Sequence, residues 1–311
     1  MSPTPSISLR LDLIKTLHKN PYPSISPFLS ELNQSGKTVV IAGGSSGIGL
    51  AIARAFVKSK ARKLILLGRR ENVLRDAVSK LKSEAGQNNN TLLIETVIEG
   101  WTCDISNLEE SEKLWDRFKT EGIAVDVLVM NAAVVGDALP ILKSGLAGVW
   151  KAFEVNVRTL LDFAGRFYGQ NGGKQKYLVN VSSSGAHNFK TESRHIPTYG
   201  LTKNSGTLVL QQIARDTDPA EMQIVSYHPG AVLTDLAREN GMDEATFDWD
   251  DENLAGQFAV WAASSKARPL HGRFVTVHWD VDEITSPEAL RAMEEDDHFL
   301  RIGVVGVDGD H

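Results

Sequence analysis

The amino-acid sequence predicts a doubly wound α/β fold, in which helices cover both faces of a seven-stranded parallel sheet. Short runs of apolar, largely β-branched residues recur along the chain, for example at residues 38–41 and 64–67. These runs are apolar throughout instead of alternating with polar residues, which is typical of strands buried on both faces. Segments with helical periodicity separate the runs, and this alternation predicts parallel strands joined by helical crossovers.

The predicted elements follow one another from residue 37 onward. The strands are expected at residues 38–41, 64–67, within 92–101, 125–130, 177–181, 224–227 and 273–279. The helices between them are expected at about residues 48–58, 71–85, 107–120, 147–168 and 199–215. Because no repeat or linker interrupts the series, residues 37–285 are expected to form one domain.

Two segments flank this predicted domain. Residues 1–36 form an N-terminal extension, in which the spacing of apolar residues from Leu9 to Leu17 predicts a short amphipathic helix. The prolines at positions 21, 23 and 27 then impose extended or turn backbone. Residues 286–311 form a C-terminal tail that begins with a helix at about 287–295. Neither segment carries a functional motif.

Composition restricts the classes of function. The net charge is −6 and there is no long basic run, which argues against nucleic-acid and anionic-membrane partners. The single cysteine, Cys103, excludes disulfide frameworks and cysteine-based zinc sites. No stretch approaches ~18 continuous apolar residues, and residues 1–8 lack the basic and apolar regions of a secretory signal. A cytoplasmic location is therefore expected.

A glycine-rich turn follows the first strand and opens the first helix. Small residues there let a ligand approach the backbone, and the helix N-terminus presents free N–H groups to a pyrophosphate. The position of the turn in a strand–turn–helix unit favours dinucleotide binding over a plain glycine-rich turn. This stretch supplies the candidate cofactor-binding residues Gly43, Ser45, Ser46, Gly47, Ile48 and Gly49.

Two arginines follow the second strand, where proteins that bind NAD often carry an acidic residue for the adenosine ribose. Arg69 and Arg70 occupy this place, and the first acidic residue after the strand is Glu71. An arginine there suits the 2′-phosphate of NADP through charge-assisted hydrogen bonds. The pattern therefore favours NADP as the cofactor. NAD, and a reading of both arginines as solvated surface residues, are the alternatives.

Further candidates follow the later strands, at the sheet edge where open α/β proteins bind ligands. Each is a weak signal alone, because Asn, Asp and Ser at strand ends are also common turn and cap residues. The candidates are Asp104 and Ile105 after strand three, Asn131 and Ala132 after strand four, Ser183 after strand five, and Pro229, Gly230, Val232 and Thr234 after strand six.

The segment after strand six is polar and irregular over residues 235–252, and a loop of this kind could close over a ligand. It contains the acidic run 248–251, which lacks the central glycine and the spacing of a calcium loop. The run is therefore expected to be a solvated face, and no metal site is expected in the protein.

Tyr199 and Lys203 are four residues apart in a predicted helix, so that both side chains share one face. A phenol titrates near pH ~10 and is a poor acid–base catalyst at neutral pH. A neighbouring cation favours the phenolate and lowers that pKa. The pair is a candidate proton-transfer device, although a chance pair on a surface helix is the alternative for the motif taken alone.

Taken together and in order, these motifs resemble those of the short-chain dehydrogenase/reductase family, over about residues 37–282. Two positions depart from the family pattern, since Ala42 replaces a threonine and Ala133 replaces a glycine. The prolines before the first strand and the residues 279–283 resemble fungal members, many of them associated with secondary metabolism. The matching residues are the glycine turn from Gly43 to Gly49, Asn131 and Ala132, Asn156, Ser183, Tyr199 and Lys203, and Pro229, Gly230, Val232 and Thr234.

The resemblance implies a Rossmann-like fold and hydride transfer between NADP(H) and a small-molecule carbonyl or alcohol. It implies that Ser183 binds the carbonyl oxygen and that Tyr199 is the general acid. It also implies that Lys203 supports Tyr199 and holds the nicotinamide ribose, and that Asn156 anchors a water for proton resupply. An epimerase or dehydratase on the same scaffold, and a cofactor-binding protein without turnover, are the alternatives. A homodimer or homotetramer is left open.

Overall fold

The computed structural model describes residues 13–86, 96–170, 174–190, 192–239 and 241–304. In these residues a single sheet of seven parallel strands has the order β3-β2-β1-β4-β5-β6-β7, which confirms the predicted fold class. The strands are β1 Thr38–Ala42, β2 Lys63–Gly68, β3 Val97–Thr102, β4 Val127–Met130, β5 Lys176–Val181, β6 Met222–His228 and β7 Arg273–Thr276.

Helices connect the strands and flank the sheet. Some predicted boundaries fall on residues 92–95 and 305–311, which lie outside the described part of the chain. The helices are α1 Gly47–Lys58, α2 Glu71–Gly86, α3 Leu108–Thr120, α4 Ile141–Phe153, α5 Thr159–Gly169, α6 Glu192–His195, α7 Pro197–Arg215, α8 Asp235–Glu239, α9 Glu252–Ala262, α10 Val281–Ile284 and α11 Pro287–Glu295.

Two apolar layers hold the helices against the sheet, one on each face. On one face, Phe56 of α1 and Phe258 of α9 pack on the sheet in a core that also includes Ile25 and Leu32 of the N-terminal extension. On the other face, α3, α5 and α7 cover the sheet with side chains such as Phe163. Burial on both faces explains why the strands are apolar throughout. Within the described residues no helix is both long and apolar enough to cross a bilayer.

The N-terminal extension differs from its prediction. Part of the helix predicted near residues 9–17 lies outside the described residues, and residues 13–17 are not helical. Instead, Leu17 forms an isolated antiparallel bridge with Trp279. The carboxylate of Glu283 accepts the backbone N–H groups of Lys15 and Thr16 at 2.7 and 3.0 Å, so these donors are satisfied by a distant side chain instead of a helical turn.

The helix predicted at residues 147–168 is also wrong in its continuity. Helix α4 begins earlier, at Ile141, and Gly145 interrupts it with φ 68° and ψ 177°. A π-helical turn at Glu154–Arg158 then separates α4 from α5. Such turns within helices are frequent at functional sites, and this one carries Asn156.

Candidate active site

A groove of about 310 Å³ lies at the carboxyl edge of the sheet, where β1 and β4 are neighbours. The strand order reverses at this point, which is where open α/β sheets bind ligands. Most of the predicted cofactor-binding residues line the groove. They are Gly43, Ser45, Ser46, Gly47, Ile48, Arg69, Arg70, Asp104, Ile105, Asn131, Ala132, Tyr199, Lys203, Pro229 and Thr234.

Five predicted site residues belong to the surroundings of the groove instead of its lining. Gly49, Gly230 and Val232 were predicted to bind the cofactor, and Asn156 and Ser183 to act in the reaction. All five residues have contacts, described below, that place them in the surrounding structure. The groove therefore contains the Tyr199–Lys203 pair but is bounded by the other two predicted catalytic residues.

The glycine turn packs too closely for a side chain at any of its four glycines. Gly43 has φ +74°, and a Cβ added to Gly49 would lie 1.9 Å from the carbonyl oxygen of Gly43. The amide Nδ2 of Asn131 donates to that same carbonyl at 2.9 Å. Asn131 therefore fixes the turn across the β1–β4 junction. The turn leaves the N-terminus of α1 facing the groove, which suits an anionic ligand.

The far end of the groove is basic. Arg69 and Arg70 are exposed there, and within the described part of the chain neither forms an ion pair. On the opposite side, the carboxylate of Asp104 accepts from the backbone N–H and the hydroxyl of Ser106 at 3.0 and 2.7 Å. Asp104 is thus held in place at the groove wall while both guanidinium groups remain available to a ligand.

Lys203 is buried beside Tyr199 on the first turns of α7. Only 8% of Lys203 is exposed, and its Nζ donates to the carbonyl oxygen of Val181 at 2.8 Å. The same Nζ lies 5.7 Å from the centroid of the Tyr199 ring. Burial lowers the pKa of Lys203 to about 8, because the ammonium loses hydration. The structure thus places a partly destabilised cation next to a phenol at the groove.

The two serines after β5 have different environments. Ser182 lines the groove, and its hydroxyl lies 2.7 Å from that of Thr207 in α7. Ser183 is 8% exposed and caps the short 3-10 turn Ser184–Ala186, where its Oγ accepts from the N–H of Gly185 at 3.1 Å. The hydroxyl proton of Ser183 is not used in that bond, so Ser183 can still donate to a ligand.

Asn156 joins three elements next to the pair. Its Nδ2 donates to the carbonyl of Val134 at 2.8 Å and to the hydroxyl of Thr202 at 2.9 Å. Its Oδ1 accepts from the N–H of Val134 at 2.9 Å. A Cβ added to Gly206 would lie 2.8 Å from the Asn156 carbonyl oxygen, so this carbonyl faces α7. Asn156 therefore ties the segment after β4 to the helix that carries Tyr199 and Lys203.

The turn after β6, residues 229–234, packs against the glycine turn at the start of α1. A Cβ added to Gly47 would lie 2.9 Å from Cγ2 of Thr234, which shows how closely the two turns approach. The backbone N–H of Thr234 donates to Val232 at 2.9 Å, which places Val232 within the support of the turn. The turn after β6 therefore forms the wall of the groove next to the N-terminus of α1.

The expectation that residues 248–251 form a solvated face is wrong for Asp250. The side chain of Asp248 is 90% exposed, but that of Asp250 is only 3% exposed and pairs with His278. Asp251 caps α9, accepting from the N–H of Asn253 at 2.8 Å. The reason is that Asp250 contacts Ala231 and His278, and the composition of the run does not reveal these contacts. In the described residues no cluster of His, Cys, Asp and Glu has the geometry of a metal site.

Several further residues line the groove that were not among the predicted site residues. Most of them lie at or just after a strand end, and that position is the signal that could have found them, whereas Val155 lies in the π-helical turn and Asp235 at the start of α8. They are Leu67, Gly68, Cys103, Ser106, Ala133, Val134, Val155, Val181, Ser182 and Asp235.

Comparisons with known proteins find relatives over most of the chain. The family model for short chain dehydrogenases matches residues 37–245. The chain is 31% identical over 297 residues to the short chain dehydrogenase/reductase AacuD of Aspergillus aculeatus, covering 94% of this chain and 96% of the relative. It is 32% identical over 278 residues to a short chain dehydrogenase/reductase of Claviceps purpurea, covering 88% of each. Both relatives are fungal, as the sequence resemblance indicated.

A solved structure gives the same fold at low identity. The Pseudomonas aeruginosa RhlG/NADP active-site complex superposes with a TM-score of 0.68 and 16% identity, covering 80% of this chain and 98% of that one. The family match spans most of the parallel sheet and the Tyr199–Lys203 pair. On these grounds the chain belongs to the short-chain dehydrogenase/reductase family of oxidoreductases.

Proposed function

We propose that this protein is an NADP(H)-dependent carbonyl reductase, which interconverts a ketone or aldehyde and an alcohol on a small-molecule metabolite. The observation that carries the proposal is the Tyr199–Lys203 pair at the groove. A phenol and a buried ammonium lie on adjacent turns of α7, and Val181 anchors the ammonium. In the described part of the chain Lys203 has no carboxylate partner, so its charge acts on Tyr199 and on whatever the groove binds.

The groove fits a dinucleotide with a 2′-phosphate. The glycine turn lets a pyrophosphate approach the N-terminus of α1, which has free N–H groups. Arg69 and Arg70 would hold the 2′-phosphate, since they are exposed and neither forms an ion pair within the described residues. Asp104 would accept from the adenine amino group. NADP in the related RhlG complex supports this choice over NAD.

The protein residues supply hydrogen bonds and protons. Bound NADPH provides the hydride that adds to the carbonyl carbon. Ser183 donates a hydrogen bond to the substrate oxygen, where negative charge develops. Tyr199 gives its phenolic proton to that oxygen as general acid, and the positive charge of Lys203 stabilises the phenolate that remains.

Asn156 would serve proton resupply through its backbone. Its side-chain amide is already bonded to Val134 and Thr202. Anchoring a water beside Lys203 therefore falls to the main-chain carbonyl, which faces α7 at Gly206. The side chain keeps the π-helical turn and α7 in register.

A panel of ketones and aldehydes, followed by loss of NADPH absorbance, tests the proposed reaction. We expect NADPH to be consumed in a one-to-one ratio with the alcohol formed. Conversion of a substrate with no net NADPH consumption would instead indicate an epimerase or dehydratase. Binding of NADPH without conversion of any substrate would favour a scaffold protein.

We also propose that the substrate is apolar or aromatic. Phe189 is 64% exposed after the Ser184–Ala186 turn and is available to a ligand. Phe247 and Trp249 instead pack edge to face at 5.1 Å, and Trp249 Nε1 donates to the Asp243 carbonyl at 2.8 Å. These two rings therefore stabilise their own loop. Aromatic ketones should be reduced faster than polar ones of equal size.

A homodimer or homotetramer is also proposed. Leu146 and Trp150, four residues apart on α4, are 83% and 59% exposed, and Leu161 of α5 is 55% exposed. Exposed apolar side chains at this spacing support self-association. Light scattering of the purified protein tests the assembly, and a monomeric mass at working concentration would contradict it.

A further inference from the structure

Asp250 is the exception in an exposed segment. Two residues earlier, the side chain of Asp248 is 90% exposed, whereas the Asp250 side chain is 3% exposed. Burying a carboxylate is costly unless hydrogen bonds or opposite charges compensate. No motif predicts this burial, and none of the roles assigned above uses Asp250. Its partners show what the burial achieves.

The backbone and carboxylate of Asp250 both bind the turn after β6. The N–H of Asp250 donates to the carbonyl of Ala231 at 2.8 Å. In return, the N–H of Ala231 donates to Oδ2 of Asp250 at 2.7 Å. Gly230 has φ +85°, and a Cβ there would lie 2.6 Å from Oδ2, so only glycine leaves room for the carboxylate. Two reciprocal bonds thus join residues 19 positions apart.

His278 holds the same carboxylate from the end of the sheet. Its Nε2 lies 2.8 Å from Oδ2 of Asp250, and its Nδ1 lies 2.8 Å from the hydroxyl of Thr276 in β7. The tautomer with a proton on Nε2 satisfies both contacts. Burial opposes ionisation of Asp250, but the bonds from His278 and Ala231 prevail and lower its pKa below the ordinary value. We call Ala231, Asp250 and His278 the Asp250 clamp.

The N-terminal extension covers the clamp. The N–H of His18 donates to the His278 carbonyl at 2.8 Å, and the N–H of Asp251 donates to the Lys19 carbonyl at 2.9 Å. The ammonium of Lys19 lies 2.6 Å from the carboxylate of Asp248 and 3.9 Å from Oδ1 of Asp250. Backbone hydrogen bonds from the N-terminal extension therefore hold His278 and the residue that follows Asp250.

The clamp closes the base of the loop that carries Thr234. Ala231 and Asp250 bring the two ends of this loop together, and Pro229 and Thr234 line the cofactor groove. Thr234 lies against Gly47 at the start of α1. The position of the turn over the groove therefore depends on a bond formed outside the groove.

We propose that Asp250 is a positioning residue, which fixes the Pro229–Thr234 turn over the groove through Ala231 and so strengthens dinucleotide binding. This inference rests on the proposed NADP(H) binding. Asp250 touches neither the groove nor the catalytic pair, so its effect reaches the cofactor only through the turn. The same geometry also restrains the segment that follows Ala231, in which Arg238 of α8 is a trypsin site.

Asp250→Ala, with Asp248→Ala as the matched control, tests the clamp by direct titration of NADPH fluorescence. Loss of a buried, charge-assisted hydrogen bond should weaken NADPH binding by about tenfold or more in D250A. D248A removes an equally charged but exposed neighbour and should stay within about twofold of wild type. Trypsin should cleave after Arg238 faster in D250A than in D248A, as followed by mass spectrometry.

Asp250→Asn keeps the size of the side chain and an oxygen for Ala231, so it should fall between wild type and D250A. If D250A does not fold, wild-type NADPH affinity and wild-type cleavage in D250N overturn the proposal. Equal binding by D250A and wild type overturns it directly, and so does an equal loss in D248A. A wild-type protein that binds neither NADPH nor NADH overturns the cofactor assignment as well.

Discussion

Two lysine–tyrosine pairs lie at opposite edges of the sheet. At the carboxyl edge, Nζ of Lys203 is 5.7 Å from the centre of the Tyr199 ring. At the amino edge, just before β1, Nζ of Lys37 is 4.2 Å from the centre of the Tyr177 ring. Burial lowers the pKa of each lysine to about 8. By proximity and charge alone, the amino-edge pair resembles a catalytic pair as closely as the carboxyl-edge pair does.

The surroundings of the two pairs differ. Asp126 partly offsets the burial of Lys37, and the hydroxyl of Tyr177 donates to Gln175 at 2.8 Å. Lys203 has no such acidic neighbour among the described residues, and it lines the groove together with Tyr199. Of these two pairs, the one that lines the groove at the switch point of the sheet is the candidate for catalysis. The comparison teaches that a lysine beside a tyrosine is not sufficient, and that access to the ligand site is also required.

The largest expected effect is on turnover. Tyr199→Phe should lower kcat by about 10²–10⁴-fold, because it removes the proposed general acid, and should leave NADPH binding nearly unchanged. Tyr177→Phe is the matched control and should retain wild-type kcat. Steady-state kinetics on a working substrate measure both. Full activity in Y199F, or an equal loss of kcat in Y177F, would contradict the assignment of Tyr199 as the general acid.

The next effect is on stability, and its sign follows from the lysine pKa. The folded pKa of Lys203 is about 8, below the unfolded value of 10.5, so the unfolded chain binds more protons between these pH values. Lys203→Met should therefore raise the free energy of unfolding of the cofactor-free protein by roughly 1–3 kcal/mol at pH 7. The gain should shrink as the pH rises from about 8 to 10.5.

Lys37→Met provides the comparison for that stability effect. Its gain should be smaller, because Asp126 loses its neighbouring cation. Urea unfolding of both variants across this pH range measures the difference. A loss of stability in K203M at pH 7, or a gain that grows with pH, would show that burial does not destabilise the Lys203 cation.

The smallest effect concerns the cofactor. Arg69→Ala should weaken NADPH binding by about tenfold and NADH binding much less, since only NADPH carries the 2′-phosphate. Arg75 of α2 is exposed but does not line the groove, so Arg75→Ala is the control. Equal weakening of both cofactors in R69A would remove the argument for NADP, whereas the hydride-transfer assignment would stand.

Much of the groove could be predicted because its motifs are local. The glycine turn, the arginines after β2 and the Tyr199–Lys203 pair each depend on short spacing next to a buried strand, and the parallel sheet brings their ends to one edge. The motifs also place Ser183, but not its hydrogen bond to Gly185, which depends on the conformation of the following turn.

The rest depends on contacts between distant residues. Asp250 is buried because of Ala231 and His278, and a run of acids gives no sign of either. The path of the extension depends on Glu283, which is 267 residues from Thr16 in the chain. The break between α4 and α5 reflects a π-helical turn whose sequence has ordinary helical periodicity. Each of these features is decided by tertiary packing and not by local pattern.

The most direct test of the central claim follows the transferred hydrogen. The protein is incubated with a carbonyl substrate and NADPH that carries deuterium at both C4 positions of the nicotinamide, and the alcohol is analysed by mass spectrometry. We expect one deuterium on the carbinol carbon of the product, and almost no product from Y199F. If the wild-type protein forms the alcohol without deuterium, hydride transfer from NADPH in the groove is contradicted.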